Sequence, residues 1–275
     1  MRITITGHKG QLGQALLGAF GQEGVTGIDL PEHDITHAEA ILQTICEGKP
    51  DLVIHTAALT DVDLCAREPE LAMRVNALGT HNVALACLRC GAEMLTVSTN
   101  EVFDGRKGQP YYEHEQRNPV NAYAQSKVAA EIYTQMHLPR SYIVRTAWLF
   151  ARGGNNFPSK IAQAADKHGR LRVVCDEISS PTYAPDLADA IQRLVRTHHY
   201  GIYHLTNAGA CSRFEFARCI LEFSGRGHVP IEPITSDQWP RPSTPPLHCV
   251  LHNLAGAALG ISLPHWEDAL RTCLG

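Results

Sequence analysis

Tyr123-Ala124-Gln125-Ser126-Lys127 sets a phenol and an ammonium four residues apart, so on a helix they share one face about one turn apart. Free tyrosine titrates at about 10, too high for efficient proton exchange at neutral pH, and a neighbouring cation favours the phenolate and lowers that value. Tyr123 is the only one of the eight tyrosines followed by a lysine at this interval. Thr99 closes a β-branched run upstream, where its hydroxyl can hydrogen-bond the same carbonyl that a tyrosine protonates. The bland alternative for the Tyr-Lys pair is an exposed helix face. Together with a cofactor loop, the trio reads as proton transfer to a carbonyl.

Such a loop is present. Thr6-Gly7-His8-Lys9-Gly10-Gln11-Leu12-Gly13 ends the first apolar run and opens the first helical pattern. Glycines at 7, 10 and 13 permit a tight turn and close backbone approach, and the free N–H groups and positive dipole end of the helix suit a pyrophosphate. Asp29 follows Gly13 by sixteen residues, at the end of the second run, where a carboxylate meets the hydroxyls of an adenosine ribose.

These residues need a scaffold. Arg2 to Thr6, Val25 to Asp29, Asp51 to Thr56, Glu93 to Ser98 and Tyr142 to Thr146 read as strands. Gln11 to Phe20, His37 to Glu47, Glu70 to Arg89 and Asn121 to His137 read as the helices between them. Alternation of this kind predicts an α/β fold, a Rossmann-type doubly wound parallel sheet with helices on both faces. The dinucleotide-binding domain is expected over residues 1–150, with 176–200 returning to it. A smaller C-terminal α/β substrate-binding part is expected over 151–275, with a helix from Ser159 to His168, a strand from Leu171 to Cys175 and a helix from Pro185 to Arg196. Six of the sixteen prolines fall between Pro230 and Pro246, predicting an irregular loop over a surface or cleft.

Composition narrows the function classes. The chain has 275 residues, 44% hydrophobic and 19% charged, so a packed core is expected and disorder is not. A formal net charge of −4 offers no general basic field for nucleic acid or an anionic membrane. No apolar run suggests a signal or a membrane span, and a cytoplasmic protein is expected. The nine cysteines are scattered, and Cys87-Leu88-Arg89-Cys90, the only C-x-x-C, has no second pair to complete a zinc site. No metal ligands are identified among the fifteen histidines either, and any homodimer is expected to form through helices.

The chain resembles an extended short-chain dehydrogenase/reductase, most closely the dTDP-4-dehydrorhamnose reductase family. The resemblance rests on Gly10-Gln11-Leu12-Gly13, Ala57-Ala58-Leu59-Thr60-Asp61-Val62-Asp63, Val75-Asn76-Ala77, Ser98-Thr99-Asn100-Glu101-Val102-Phe103-Asp104-Gly105 and Asn121-Ala122-Tyr123. Arg145-Thr146-Ala147-Trp148-Leu149-Phe150, Gly154-Asn155-Asn156-Phe157, Ser180-Pro181-Thr182 with Asp186-Leu187-Ala188, and Gly201-Ile202-Tyr203-His204-Leu205 extend it to about residue 210. It implies reduction of the 4-keto group of a nucleotide-linked deoxysugar, the nucleotide being dTDP, with NADPH or NADH as hydride donor. Tyr123 would donate the proton, Lys127 would hold the nicotinamide ribose and lower the phenol's pKa, and Thr99 would orient the carbonyl. Gly7, Gly10, Gln11, Leu12 and Gly13 would hold the pyrophosphate, with Asp29, Ala57, Ala58, Thr60 and Asn76 lining the rest of the cofactor site. Trp148, Asn156 and Phe157 would face the sugar nucleotide.

The chain also departs from the family. Asn100-Glu101 replaces Asp-Tyr, which brings Glu101 toward the substrate in place of an aromatic ring. Thr244 and Pro245 replace a pair of arginines, so Arg241 is the nearest cation there. Ala15 stands where some relatives carry an acid. The cofactor signals conflict, because Asp29 opposes a 2′-phosphate and Lys9 attracts one; NADH is expected to serve at least comparably to NADPH. A nucleotide-sugar 4,6-dehydratase or epimerase is the enzymatic alternative, but the carboxamide of Asn100 cannot protonate a departing hydroxyl. A non-catalytic NAD(P)-binding regulatory subunit is the other, and the presence of Thr99, Tyr123 and Lys127 together argues against it.

Overall fold

Short β-branched runs separated by amphipathic stretches produce strands that pair in parallel through helical crossovers. The computed structural model describes residues 1–275. A six-stranded sheet contains β1 (Arg2–Thr6), β2 (Gly24–Ile28), β3 (Leu52–His55), β4 (Glu93–Thr99) and β5 (Ser141–Thr146), and a sixth strand supplied from the C-terminal half. Between them run α1 (Gln11–Ala19), α2 (Ala38–Gly48), a broken helical passage and α6 (Ala122–His137).

That passage differs from the single helix expected over Glu70 to Arg89. It comprises α3 (Val62–Arg67), α4 (Pro69–Ala72), a π-helical turn over Met73–Leu78 and α5 (Gly79–Cys90). Pro69 breaks the first junction, because proline enters a helix only at its first turn. The π turn carries Asn76 and is invisible to hydrophobic periodicity.

Beyond β5 the chain builds a second unit: β6 (Leu149–Phe150), α7 (Phe157–His168), β7 (Leu171–Val174), β8 (Ile178–Ser179) and β9 (Thr182–Tyr183). Then α8 (Ala184–Val195) and β10 (Gly201–His204) return to the first unit, followed by β11 (Cys211–Ser212), α9 (Arg213–Phe223), β12 (Ile231–Ile234), α10 (Ala255–Ala258) and α11 (Trp266–Leu274). The large sheet runs β10-β5-β4-β3-β1-β2, parallel throughout. The returning segment is therefore 184–204 and not 176–200. Residues 178–183 pair with β11 and β6 in the second unit, whereas β10 pairs with β5 and α8 packs on α1.

Alternation along the strands divides the sheet's two faces. Leu52 and Ile54 join Ile3, Ile5, Leu16, Leu187 and Ile191 in one core, and Val53 joins Ile41, Ile45 and Val83 in the core on the other face. A third core belongs to the second unit, where Phe216 packs on Phe150, Phe157 and Trp266. The proline-rich stretch contains a strand, contrary to expectation. β12 pairs in parallel with β7 through Ile231–Ile234, and Pro233 is tolerated because β12 is an edge strand bonded on one side.

Candidate active site

The reversal of strand order lies between β1, β2 and β3, and a cleft of about 980 Å³ opens at the carboxyl ends of these strands and of β4 and β5. Gly7 turns out of β1 with φ +72°, and a Cβ there would lie 2.6 Å from Ala57 N. A Cβ on Gly13 would overlap the carbonyl of Gly7. Only glycine lets the turn close on the neighbouring loop. The N-cap of α1 is Gly10, no side chain caps this end, and Gly10, Gln11, Leu12 and Gly13 line the cleft. The first N–H groups of the helix are thus left for a ligand.

At the end of β2, Asp29 accepts from Lys9 N (2.9 Å) through one carboxylate oxygen and from Leu30 N (2.8 Å) through the other. It lines the cleft while fastening the glycine loop to the strand end. Lys9 Nζ donates to Leu30 O (2.6 Å) and to Glu32 (3.0 Å). Ala57, Ala58 and Thr60 line the cleft from the loop after β3. Asn76 stands behind that loop and does not line the cleft. It accepts from Leu59 N (2.7 Å) and donates to Leu59 O (3.0 Å) and Ser126 Oγ (2.9 Å), so its amide joins the cofactor loop to the helix of Tyr123.

Thr99, Tyr123 and Lys127 all face the cleft. Asn121 caps α6 by accepting from Ala124 N (2.8 Å), and its amide donates to Glu101 Oε2 (2.8 Å) and Thr244 O (3.1 Å). The same residue thereby starts the helix and ties it to Glu101 and to the proline-rich segment. Lys127 Nζ donates to Val97 O (2.8 Å), and burial lowers its pKa to about 8 against the opposing pull of Glu131. The Tyr123 phenol is pushed well above its ordinary value, first by burial and then by the carboxylate of Glu101, with the Thr99 hydroxyl pulling the other way. The expected lowering by Lys127 is not found here. A phenol held in its protonated form is suited to donate.

Glu101 borders both the main cleft and a side pocket of about 60 Å³. Burial raises its pKa, opposed by Asn121, Arg213 and Arg241. Asn100 donates to Ser179 Oγ (3.1 Å) and Cys249 O (3.0 Å), so its carboxamide braces the second unit. Trp148 adopts φ +43°, a left-handed backbone rare for a bulky residue, and lines the cleft beside Arg213. Arg213 is the first residue of α9, a helix opened by the capping box of Ser212 and Glu215. The resemblance did not supply it, and the Ser212-Arg213-Phe214-Glu215 pattern is the signal that marks the helix start. Arg241 lines the side pocket and pairs with Asp63 at 3.0 Å.

Asn156 caps α7 and donates to Gln11 Oε1 (2.9 Å), joining the second unit to the start of α1. Phe157 does not face the cleft. It opens α7, and its half-buried ring stacks on Phe216 at 5.5 Å at the edge of the second core and lies 4.9 Å from the Arg213 guanidinium. Thr146 ends β5, lines the cleft, and its buried hydroxyl has no protein partner. The glycine cradle, the uncapped helix start and this free hydroxyl fit a dinucleotide. No group of three or more His, Cys, Asp or Glu side chains is arranged to hold a metal ion, and no helix is long and apolar enough to cross a membrane.

Comparison with known proteins agrees in fold and in extent. The spore coat polysaccharide biosynthesis protein SpsK of Bacillus subtilis is 36% identical over 275 residues, covering 99% of this chain and 96% of that one. A dTDP-4-dehydrorhamnose reductase of Mycobacterium tuberculosis is 38% identical over 282 residues, covering 99% and 92%. The solved structure of dTDP-4-dehydrorhamnose reductase from Bacillus anthracis in complex with NADP superimposes with a TM-score of 0.96 at 34% identity, covering 99% of this chain and 98% of that one. The family model described as RmlD substrate binding domain matches residues 1–275, and the chain belongs to that family.

Proposed function

We propose that this protein reduces the 4-keto group of a dTDP-linked 6-deoxyhexulose with NADPH, the reaction named for its dTDP-4-dehydrorhamnose reductase relatives. The observation that carries the reading is the convergence of Thr99, Tyr123 and Lys127 on one cleft with the glycine cradle of α1. NADPH, when bound, supplies the hydride to the carbonyl carbon. Gly10, Gln11, Leu12 and Gly13 would hold its pyrophosphate, and Lys127 its nicotinamide ribose. Thr99 orients the carbonyl oxygen once its hydroxyl turns to it from Asn100 Oδ1, and the Tyr123 phenol gives that oxygen its proton as negative charge develops there. Solvent then restores the proton to the phenolate. Glu101, Trp148 and Arg213 would face the sugar nucleotide, and Arg213 and Arg241, which line the side pocket, would be the cations for its diphosphate. A dehydratase role is disfavoured by Asn100, whose amide braces Ser179 and Cys249 and offers no acidic proton.

The test is NADPH oxidation with a panel of dTDP-, GDP- and UDP-4-ketosugars, using wild type and Tyr123→Phe. Turnover with a dTDP-linked substrate should fall roughly a hundred- to ten-thousand-fold in the variant, while NADPH affinity stays within about twofold. Half the wild-type turnover in Tyr123→Phe would show that another group donates the proton.

A further inference from the structure

Among the buried polar side-chain atoms without a protein partner, Thr146 Oγ1 is the one whose residue lines the cleft. Thr146 is 7% exposed, so little water reaches it. A buried hydroxyl left unpaired is destabilising unless something else completes it. Its place on the sheet indicates what that is. Thr146 is the register partner of Thr99 on the neighbouring parallel strand, so the two side chains stand on the same face at the cleft's floor. The Thr99 hydroxyl is engaged, donating to Asn100 Oδ1 and accepting from Glu101 N, both at 3.2 Å. Thr146 has no such neighbour.

A dinucleotide in a doubly wound fold spans the reversal of strand order, with its pyrophosphate at the first helix. Asp29, just past the end of β2, marks the adenosine side. The other half of the cofactor then lies over β4 and β5, where Thr99, Lys127 and Thr146 gather. The nicotinamide ring carries a single polar handle, its carboxamide, which both donates and accepts. A threonine hydroxyl can meet either end of it. We propose that Thr146 is a positioning residue whose hydroxyl hydrogen-bonds the nicotinamide carboxamide and so fixes which ring face is turned toward the carbonyl. This inference rests on the dinucleotide-reductase reading above and extends it to a residue on β5.

The experiment measures binding without substrate. Dissociation constants for NADPH and for 2′-phospho-ADP-ribose, which lacks the nicotinamide, are compared in wild type, Thr146→Val and Thr146→Ser. Thr146→Val keeps the shape and removes the hydroxyl; it should weaken NADPH binding by about five- to tenfold and leave 2′-phospho-ADP-ribose unchanged. Thr146→Ser should bind both as wild type does. Transfer of deuteride from NADPH labelled on one face should also become less selective in Thr146→Val. Unaltered NADPH binding in Thr146→Val overturns the proposal, as does an equal loss for both ligands, which would place the effect outside the nicotinamide half. A raised KM for the ketosugar with unaltered NADPH binding would assign the hydroxyl to the sugar and also overturn it. If wild type bound NADPH but reduced no 4-ketosugar, the proposed substrate would fail while the binding comparison still decided the role of Thr146.

Discussion

The guanidinium of Arg213 lies 3.6 Å from the centroid of the Trp148 ring, joining a residue at the start of α9 to one just beyond the end of β5. Glu177 stands 3.6 Å from the same guanidinium. The arrangement keeps a cation over an aromatic wall at the junction of the main cleft and the side pocket. Arg213→Ala should raise the KM for the sugar nucleotide roughly tenfold or more, because a charge-assisted contact to an anion is lost. NADPH binding should stay within about twofold. Arg213→Lys should recover little, since an ammonium reproduces neither the stacking nor the fork of donors. Steady-state kinetics with each ligand varied in turn would decide this, and an unchanged sugar-nucleotide KM would remove Arg213 from the substrate site.

The cofactor signals in the sequence conflicted over the 2′-phosphate, and the structure identifies a competitor for the attracting charge. Glu32 holds Lys9 Nζ at 3.0 Å while Asp29 grips the backbone of the same lysine. Glu32→Gln should free the ammonium and raise the NADPH-to-NADH ratio of kcat/KM by roughly two- to fivefold, the scale of an exposed ion pair. Lys9→Met should lower that ratio. If both variants kept the wild-type ratio, this lysine would not meet the 2′-phosphate.

The cradle and the Tyr123–Lys127 pair were legible because each is a local pattern, in which glycine spacing or an interval of four carries geometry directly. Arg213 was not, since it reaches Trp148 only after α8 and β10 have returned to the large sheet and α9 has started. Asn76 was readable as a motif residue but not in its role, because the π turn that aims it at Leu59 leaves no periodic trace. Thr146 stood in a recognisable run, yet its unpaired hydroxyl is a property of everything that fails to surround it. Phe157 differs again, because motif position suggests a substrate contact while the ring stacks on Phe216 and meets the cleft only by way of Arg213. Pro233 misled similarly, because proline argues for a loop except at a strand edge, and edge status belongs to the whole sheet.

Burial lowers the pKa of Lys127 to about 8, and its ammonium is the form that would hold the nicotinamide ribose. As pH rises through about 8 this charge is lost, so kcat/KM for NADPH, which reports the free enzyme, should fall on the alkaline side. Lys127→Arg, if active at all, should keep its charge and lose that limb, because guanidinium stays protonated over the whole range. A wild-type profile flat to pH 9.5 would show that the charge of Lys127 does not govern cofactor capture; the range scanned extends roughly one and a half units beyond the value above.

His55 and His204 are buried, and desolvation lowers the pKa of each to about 3, with Lys127 acting further on His55 and Arg145 on His204. His55 sits between Thr6 Oγ1 (2.6 Å) and Thr80 Oγ1 (2.9 Å), a neutral ring joining β1, β3 and α5. An unfolded histidine takes up a proton below about 6.5, whereas these two stay neutral in the fold until about pH 3. Between those values the unfolded chain binds more protons, so folding stability falls as pH falls. Each ring contributes a slope approaching about 1.4 kcal/mol per pH unit. Urea midpoints at pH 7 and pH 5.5, above the range where most carboxylates titrate, should show the folded state weakening on acidification. His55→Gln should lower stability at pH 7 through lost hydrogen bonds and also make the decline with pH shallower. An equally steep decline in His55→Gln would show that His55 is not a source of the acid sensitivity.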